Sequence, residues 1–369
     1  MTRTTVALVA ASVVVNVAIA AAVGIQEGFD TRVFRSGAAH MLAGEPLQGK
    51  EPSYRGYSAL LAVCRTAGIG ERGAIAFQFA VAALATLALF ALGRSLGGVT
   101  AGVLAAAFFV VDIDVARWHV YLLTDSLYMS LVVLTTWSVH RASSGSWLSF
   151  AGAAAIVACA AILRPNGWLL LPIALIYWIV RTSAKPPLKL AASVAVLLSF
   201  AGALAFGGTS RVAFQSERPD ESLRQGVLIS NFDGWRLAMP ADAASGEPGV
   251  GRVVSYILRH PWATTKLAAA RVGIELAHAR PFYSTAHNVV VLGMLALIYP
   301  LVVLGFARHA DQPLMWLMAA IVISDFLVVA ATFADWDGRF LLHTFPLMAV
   351  CAASGATGHR TSGMARVGH

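Results

Sequence analysis

Asp30 is the first residue of this sequence whose type and position could do chemistry. It follows the first apolar run by about one helical turn, with Arg32 and Arg35 close behind it. A carboxylate held at a membrane surface can take the proton from a hydroxyl group and so act as a general base. Asp is also a common N-cap, and the stretch from Thr31 to Leu42 could be a short amphipathic helix lying in the interface, so both roles stay open.

Asp125 is the second acidic candidate, in the stretch VVDIDVARWHVYLLTDSLYMSLVVL. We expect it inside an apolar helix about three turns past Asp114, where a charge costs roughly 2.5–3.5 kcal/mol at mid-membrane, so it requires a partner or a polar cavity. Asp112 and Asp114 form a D-x-D pair, which is an incomplete ligand set for a divalent cation such as Mg²⁺ or Mn²⁺. The pair could equally mark the end of a span, and no other cofactor is predicted.

Two arginines could hold the phosphate of a lipid at the membrane surface. Arg164 precedes Pro165 in ILRPNGWLLLP, and Arg339 lies at the mouth of the last apolar run in ADWDGRFLLHTFP. A guanidinium fork binds phosphate through two parallel hydrogen bonds. The alternatives are a helix break with a snorkelling arginine at Arg164 and a charged turn around Arg339. Asp325, inside the ninth run, is expected to face the interior of the bundle.

These side chains must be positioned by membrane-spanning helices. Hydrophobic residues make up 58% of the 369 residues and charged residues only 12%, with a mean hydropathy of +0.70, whereas a soluble domain carries roughly 25% charge. A soluble globular enzyme, a disordered chain and a coiled coil are therefore excluded. The three cysteines show no disulfide or metal spacing. The net charge of +8 comes without a basic, aromatic stripe, so nucleic-acid binding is not expected.

Ten apolar runs predict an all-α polytopic transmembrane bundle, formed by a single domain over residues 1–369. The runs cover residues 5–25, 74–93, 97–113, 118–139, 147–163, 167–180, 189–208, 288–307, 313–333 and 340–357. Two long segments, 26–73 and 209–287, are predicted to carry interfacial helices, with a solvated helical lid as the alternative for the second.

The short loops predict which way this bundle points. Basic residues collect in short loops on the cytoplasmic side of membrane proteins. With ten spans, that rule places both termini in the cytoplasm and the two long segments, with the candidate residues, at the outer face. We expect a multi-pass protein of a bacterial plasma (inner) membrane.

Several strings resemble one family when they are taken in order along the chain. They are the acid at Asp30 after the first span, AHMLAGEPLQGKEPSYRGY, TDSLYMSLVVL, the pair Arg164–Pro165, YILRHPWATTKLAAAR and GRFLLHTFPLMAV. In this order and spacing they resemble the GT-C superfamily of polytopic glycosyltransferases. The closest resemblance is to bacterial enzymes of the dolichyl-phosphate-mannose protein mannosyltransferase and aminoarabinose transferase type.

The resemblance implies a reaction and assigns roles to some residues. It implies inverting transfer of a sugar from a polyprenyl-phosphate donor to a lipid, glycan or protein acceptor on the outer face. Asp30 would be the catalytic base and Asp125 a second acid of the site. Lys50, in a stretch that matches the family only in part, would be a further ligand of the donor phosphate. The expected partners are this donor, the acceptor and the surrounding lipids.

Two other classes of function stay open. A transporter or flippase of a lipid-linked sugar predicts internal repeats with paired broken helices, which the two halves do not clearly show, and Asp325 is the one residue that favours it. A non-catalytic membrane subunit predicts that no acid matters for activity. Glycine-rich phosphate loops, G-x-S-x-G and H-E-x-x-H are absent from the sequence, so ATP, serine or zinc hydrolysis has no support.

Overall fold

The computed structural model describes residues 2–143, 147–181, 185–206, 219–241 and 250–357. Within these ranges the chain is helical apart from loops and one antiparallel hairpin, β1 (Val227–Ile229) and β2 (Phe232–Arg236). The helices are α1 (Arg3–Val23), α2 (Thr31–Ala43), α3 (Arg55–Thr66), α4 (Gly70–Val111), α5 (Ile113–Ala116), α6 (Asp125–Ala142), α7 (Trp147–Leu163), α8 (Leu170–Arg181), α9 (Pro186–Phe206), α10 (Pro219–Arg224), α11 (Val250–Arg259), α12 (Pro261–Ala277), α13 (Thr285–His309), α14 (Pro313–Ala331) and α15 (Arg339–Thr357). Short 3₁₀ turns cover Glu51–Tyr54, Arg117–Val120 and Pro165–Leu169.

Each of the ten apolar runs overlaps a helix or a helical arm in its described residues, which confirms the all-α polytopic membrane fold. Among the described residues, five helices are long and apolar enough to cross a membrane, namely α1, α4, α13, α14 and α15. Helix α7 and the part Pro186–Ala201 of α9 are shorter apolar stretches. The count of ten spans therefore stays a prediction.

Helix α4 consists of two arms that fold back on each other. Gly97 and Gly98 leave helical geometry, and Gly98 has φ 78° and ψ −172°, a conformation essentially restricted to glycine. A Cβ atom added to Gly93 would lie 2.8 Å from the Cα atom of Gly102. In a continuous helix these two residues would be about 13.5 Å apart. The arms therefore form a tight hairpin, as the separate runs 74–93 and 97–113 predict.

The first long segment contains the short helix that the sequence predicts. Helix α2 begins after Asp30 and ends at Ala43, close to the predicted stretch from Thr31 to Leu42. Its Phe34 is buried and packs edge-on against Tyr54 and Tyr57, with ring centroids 5.4 and 5.0 Å away. This packing fixes α2 against α3 and against the turn before it.

The second long segment is tied to the bundle by a buried arginine. Arg271 of α12 has no exposed surface and donates hydrogen bonds to the carbonyl oxygens of Val227 (2.8 Å), Ser222 (3.2 Å) and Ala330 (3.2 Å). These acceptors belong to β1, α10 and α14. The described part of the segment, 219–241 and 250–287, is therefore packed onto the end of α14 and is not a detached lid. Its residues 209–218 and 242–249 lie outside the described ranges.

One predicted span is wrong at its start. The run 118–139 does not begin as an α-helix, because Gln26 accepts a backbone hydrogen bond from Leu122 and donates one to Val120, both at 2.9 Å. This pairing holds the chain around Tyr121 extended, so α6 begins only at Asp125. Asp125 is thus the first residue of its helix. The periodicity predicts a position inside the helix, and that prediction is wrong.

Replacing Gly98 should destabilise the hairpin of α4. A side chain in this backbone conformation costs about 1–3 kcal/mol, so Gly98→Ala should lower the thermal unfolding midpoint of the protein in detergent. Gly152→Ala is the matched control, because Gly152 lies in a helix with no atom within 4 Å of an added Cβ. Equal midpoints for the two variants would contradict the assigned turn.

Candidate functional site

Asp125 lies at the centre of a buried network of charges at one end of the bundle. Its Oδ1 accepts hydrogen bonds from Arg164 Nη1 at 2.6 Å and from His343 Nε2 at 3.0 Å, and its Oδ2 accepts one from Arg339 Nη1 at 3.4 Å. The Asp125 side chain is only 4% exposed. A buried carboxylate is tolerated when it is paired and hydrogen-bonded. The partners that the sequence required for Asp125 are therefore two arginines and a histidine.

Arg164 points into the protein. It follows α7 with an extended backbone, and Pro165 starts the 3₁₀ turn that leads into α8. Its guanidinium lies 5.9 Å from the ring centroid of Tyr128 and 5.5 Å from that of Phe340, and its side chain is 7% exposed. Arg164 therefore does not snorkel to the surface, which was the alternative at this position.

Arg339 connects the carboxylates of the network. It is the first residue of α15, and its Nε and Nη2 form a bidentate pair with Asp335, each bond 3.0 Å long. The remaining nitrogen, Nη1, faces Asp125 and lies 3.9 Å from Asp30 Oδ2. Trp118 lies against the guanidinium, 5.7 Å from ring centroid to Cζ. Arg339 is 14% exposed, twice the exposed fraction of Arg164.

Asp30 is the most accessible carboxylate of this network. It occupies the N-cap position of α2, yet its side chain makes no capping hydrogen bond. Thr31 satisfies the local backbone instead, since its hydroxyl accepts from Gly28 N at 2.9 Å and donates to Leu122 O at 3.1 Å. The Asp30 side chain is 30% exposed. It therefore stands at the rim of the network, and no hydrogen bond found among the described residues uses its carboxylate.

Asp325 faces the interior of the bundle, as the sequence predicts. Its Oδ1 accepts a hydrogen bond from Asn166 Nδ2 at 3.3 Å, and its Oδ2 lies 3.9 Å from His343 Nδ1. His343 is therefore the link between Asp325 and Asp125. This contact places Asp325 behind the same network rather than in a separate site.

The acidic pair at residues 112 and 114 has structural partners. Asp112 caps the short helix α5 by accepting from Asp114 N at 2.9 Å, and Asp114 lies 3.5 Å from Arg117. Burial raises the pKa of Asp112 to about 6. In the described part of the chain, no group of three or more His, Cys, Asp or Glu residues could hold a metal ion. A metal role for this pair stays a prediction to which the geometry adds nothing.

Lys50 lies in the first long segment, between α2 and α3. It precedes the turn Glu51–Tyr54, in which Glu51 is buried and accepts from Gln48 N at 2.8 Å beside His40. Burial would raise the pKa of Glu51, but this backbone bond and His40 hold it below its ordinary value. Lys50 as a phosphate ligand stays a prediction.

Two buried residues that the sequence analysis did not single out hold the Arg339 loop from behind. Glu275 of α12 and Arg280 form a fully buried ion pair at 2.8 Å. Glu275 also accepts from Asp335 N at 3.1 Å and Leu341 N at 2.9 Å, and Arg280 donates to Asp335 O at 2.9 Å. The sequence gives little indication of this role, because GIELAHAR mixes apolar and charged residues in the same way as the rest of the second long segment.

The charges around Asp335 show how tightly this loop is bound. Burial would raise the pKa of Asp335, but the guanidinium of Arg339 holds that pKa below its ordinary value. For Glu275 burial dominates and raises the pKa to about 7, although Arg280 opposes the shift. The loop therefore holds Arg339 so that two of its guanidinium nitrogens pair with Asp335. The third nitrogen, Nη1, points toward Asp125 and Asp30.

The arrangement combines two chemical functions within a few ångströms. A partly exposed carboxylate can remove a proton from a hydroxyl group, and a neighbouring guanidinium in a water-poor site can stabilise negative charge on a leaving group. The four candidate residues Asp30, Asp125, Arg164 and Arg339 thus come together, whereas Asp112 and Asp114 form a separate cap beside them.

Comparison with known proteins supports the same class of chemistry. A family model described as dolichyl-phosphate-mannose-protein mannosyltransferase matches residues 59–206, which confirms the resemblance seen in the sequence over this part of the chain. The matched part contains Asp125 and Arg164 but not Asp30 or Arg339. No curated protein matches the chain.

Removing the charge of Asp125 should destabilise the fold. Asp125→Asn leaves two buried guanidinium groups without their shared carboxylate, which should cost about 3–5 kcal/mol of unfolding free energy. Thermal or denaturant unfolding in detergent would measure this loss. Asp311→Asn is the control, since Asp311 is exposed in the turn between α13 and α14, and an equal effect of both variants would argue against the network.

The stability of the protein should depend on pH through Glu275. Its folded pKa of about 7 lies above the ordinary value near 4.3, so its contribution to stability is fully present below pH 4.3 and is lost as the pH rises through 7. The unfolding midpoint of Glu275→Gln should therefore fall less than that of the wild type between about pH 4.3 and 7. Parallel pH profiles would show that Glu275 does not titrate in this way.

Proposed function

We propose that this membrane glycosyltransferase moves a sugar, with inversion, from a polyprenyl-phosphate donor to a hydroxyl group of a lipid, glycan or protein acceptor. We place the reaction on the outer face of a plasma (inner) membrane, with both termini in the cytoplasm. The observation that carries the proposal is the partly exposed carboxylate of Asp30, 3.9 Å from Arg339 at the end of a bundle that buries its other charges. The family match over residues 59–206 supports the reaction class.

Asp30 is the general base of this proposal. Its carboxylate takes the proton of the acceptor hydroxyl while the acceptor oxygen attacks the anomeric carbon of the donor. The bond from that carbon to the phosphate oxygen breaks, and the phosphate leaves with the electron pair. One displacement at the anomeric carbon inverts the configuration, and no covalent intermediate with the protein is needed.

Arg339 is the cation that the leaving phosphate can reach. Its Nη1 makes the longest contacts of this guanidinium, 3.4 Å to Asp125 and 3.9 Å to Asp30, so a phosphate can bind this nitrogen while Nε and Nη2 stay paired with Asp335. Arg164 lies deeper and adds positive potential from behind, where a low dielectric strengthens its effect. Lys50 is kept as a further phosphate ligand from the first long segment.

Asp125 acts in this proposal by positioning the two arginines. It is 4% exposed and already accepts hydrogen bonds from three side chains, so its carboxylate is occupied by the protein more than it is open to a substrate. Its charge keeps the guanidinium groups of Arg164 and Arg339 side by side despite their mutual repulsion. This role differs from that of a second catalytic acid, which the family resemblance implied.

The transporter alternative loses its supporting residue. Asp325 was the one acid that pointed to a path through the membrane, but it accepts a hydrogen bond from Asn166 and lies beside His343, behind Asp125. We take Asp325 as a member of that network and not as a separate site. A transporter and a non-catalytic subunit are retained as outcomes of the experiment below.

Asp30→Asn should reduce sugar transfer by about 10²–10⁴-fold, the usual contribution of a general base. The measurement is transfer by purified protein in lipid, from a panel of radiolabelled polyprenyl-phosphate sugars to mixed membrane acceptors. Glu27→Gln is the matched control, because Glu27 is an exposed carboxylate of the same loop that pairs with Arg35.

Three results of this assay would overturn parts of the proposal. Near wild-type transfer by Asp30→Asn would remove the base assignment. Labelled lipid that crosses the bilayer without transfer would favour the transporter. Neither transfer nor crossing with any donor would favour a non-catalytic subunit.

Arg339→Lys should weaken donor binding more than it lowers the rate at saturation. Lysine keeps the positive charge but loses the planar fork, whose pair with Asp335 directs Nη1, so the KM for the donor should rise about 10–100-fold, the equivalent of one charged hydrogen bond or more. Arg164→Lys should act in the same direction. Arg32→Lys, on the exposed side of α2, serves as the control and should leave KM unchanged. An unchanged KM in Arg339→Lys would exclude a phosphate role for the fork.

A further inference from the structure

A cavity of about 330 Å³ lies at the end of the bundle opposite Asp125. The first arm of α4 and the helices α6 and α8 all end there, and each of them begins at the end that holds the charged network. The volume is at the lower end of the roughly 300–1,000 Å³ that small-molecule sites occupy. The polar and aromatic residues that line it are Ser95, Trp137, His140, Arg141, Ser143 and Arg181.

The lining of this cavity is basic. It contains Arg141 and Arg181, and none of its described lining residues is an Asp or a Glu. The hydroxyl groups of Ser95 and Ser143 each donate to a backbone carbonyl of their own helix at 2.7 Å. The strong hydrogen-bond donors that face the cavity are therefore the guanidinium groups. A ligand that matches them carries negative charge and several acceptor oxygens.

The two helix ends that carry these arginines are joined to each other. His140 of α6 and Tyr177 of α8 share a hydrogen bond of 2.8 Å between Nδ1 and the phenol oxygen. This bond lies one residue before Arg141 and about one helical turn before Arg181. The spacing of the arginines is thus set by the packed helices and not only by their flexible side chains.

Apolar side chains form part of the cavity wall, namely Ala91, Leu92 and Trp137. Val180, next to Arg181 in the sequence, is 53% exposed. The guanidinium of Arg141 lies 5.6 Å from the ring centroid of Trp137, and tryptophan is enriched where membrane meets water. A phosphate that is carried on acyl chains can satisfy the arginines and cover the apolar rim, whereas a dissolved anion satisfies only the arginines.

We propose that this cavity binds the phosphate of an anionic lipid headgroup between Arg141 and Arg181. Arginine binds phosphate through paired, charge-assisted hydrogen bonds, and basic pockets between membrane helices suit such headgroups. The lipid lies in the leaflet opposite the charged network, so it is a bound membrane component and not the sugar donor. The site is independent of the proposed reaction.

Lipid binding to the purified full-length protein tests this site. The probes are phosphatidylglycerol and, as the zwitterionic comparison, phosphatidylcholine, titrated into delipidated protein and followed by native mass spectrometry. The wild type should bind phosphatidylglycerol at least tenfold more tightly than phosphatidylcholine. Arg141→Gln and Arg181→Gln should each weaken phosphatidylglycerol binding by about tenfold, and Arg181→Lys by less, because lysine retains the charge.

Arg94→Gln is the matched control. Arg94 is exposed near the end of the first arm of α4, on the cavity side of the bundle, but it is not one of the residues that line the cavity. Its variant therefore loses the same charge and should keep wild-type affinity. An equal loss in Arg94→Gln, or wild-type affinity in both cavity variants whose unfolding midpoints are unchanged, would overturn the proposal. Full competition by millimolar inorganic phosphate would show a soluble-anion site and overturn the assignment to a lipid.

Discussion

The buried carboxylate of Asp125 is the interaction on which the charged end of this bundle depends. A charge that is 4% exposed among apolar helices persists only with partners, and its partners come from the start of the segment after α7 and from α15. Because Arg164 and Arg339 approach the same carboxylate, these helix ends must meet at α6. The last nitrogen of Arg339 then extends the network to Asp30 at its rim.

The second long segment fixes the position of Arg339 relative to Asp125. Glu275 and Arg280 bind the backbone of the loop that precedes α15, and Arg271 ties the same segment to the end of α14. Without these bonds the Arg339 loop would be a short, charged connection free to move. A guanidinium that is held before the substrate arrives stabilises developing charge without reorganisation, which is what electrostatic catalysis requires.

The two ends of the bundle differ in their carboxylates. Asp30, Asp125 and Asp335 gather at one end beside Arg164 and Arg339, whereas the described lining of the cavity at the other end has Arg141 and Arg181 and no Asp or Glu. The same division follows from the short loops, whose basic residues orient a protein in the membrane. The proposed reaction and the proposed lipid site thus lie at opposite ends of the bundle, in line with the orientation that the short loops predict.

The sequence by itself determined the helices, because hydrophobic length and glycine positions act locally. The run 147–163 became α7 with the same bounds, and Gly97 and Gly98 separated two arms where two runs were predicted. It also determined which polar residues the membrane could not accept unpaired, among them Asp125. Only the tertiary structure decided the pairs, since Asp125 contacts Arg339 and His343 from the far end of the chain.

The sequence predictions that failed did so because they also depended on contacts between distant parts of the chain. The run 118–139 starts with a 3₁₀ turn and an extended residue, Tyr121, because the chain there pairs with Gln26. Glu275 and Arg280 were missed because their hydrogen-bond partners lie in a distant part of the chain. A local pattern reports how polar a residue is, and the free energy of burying its charge depends on partners that only the folded chain brings near.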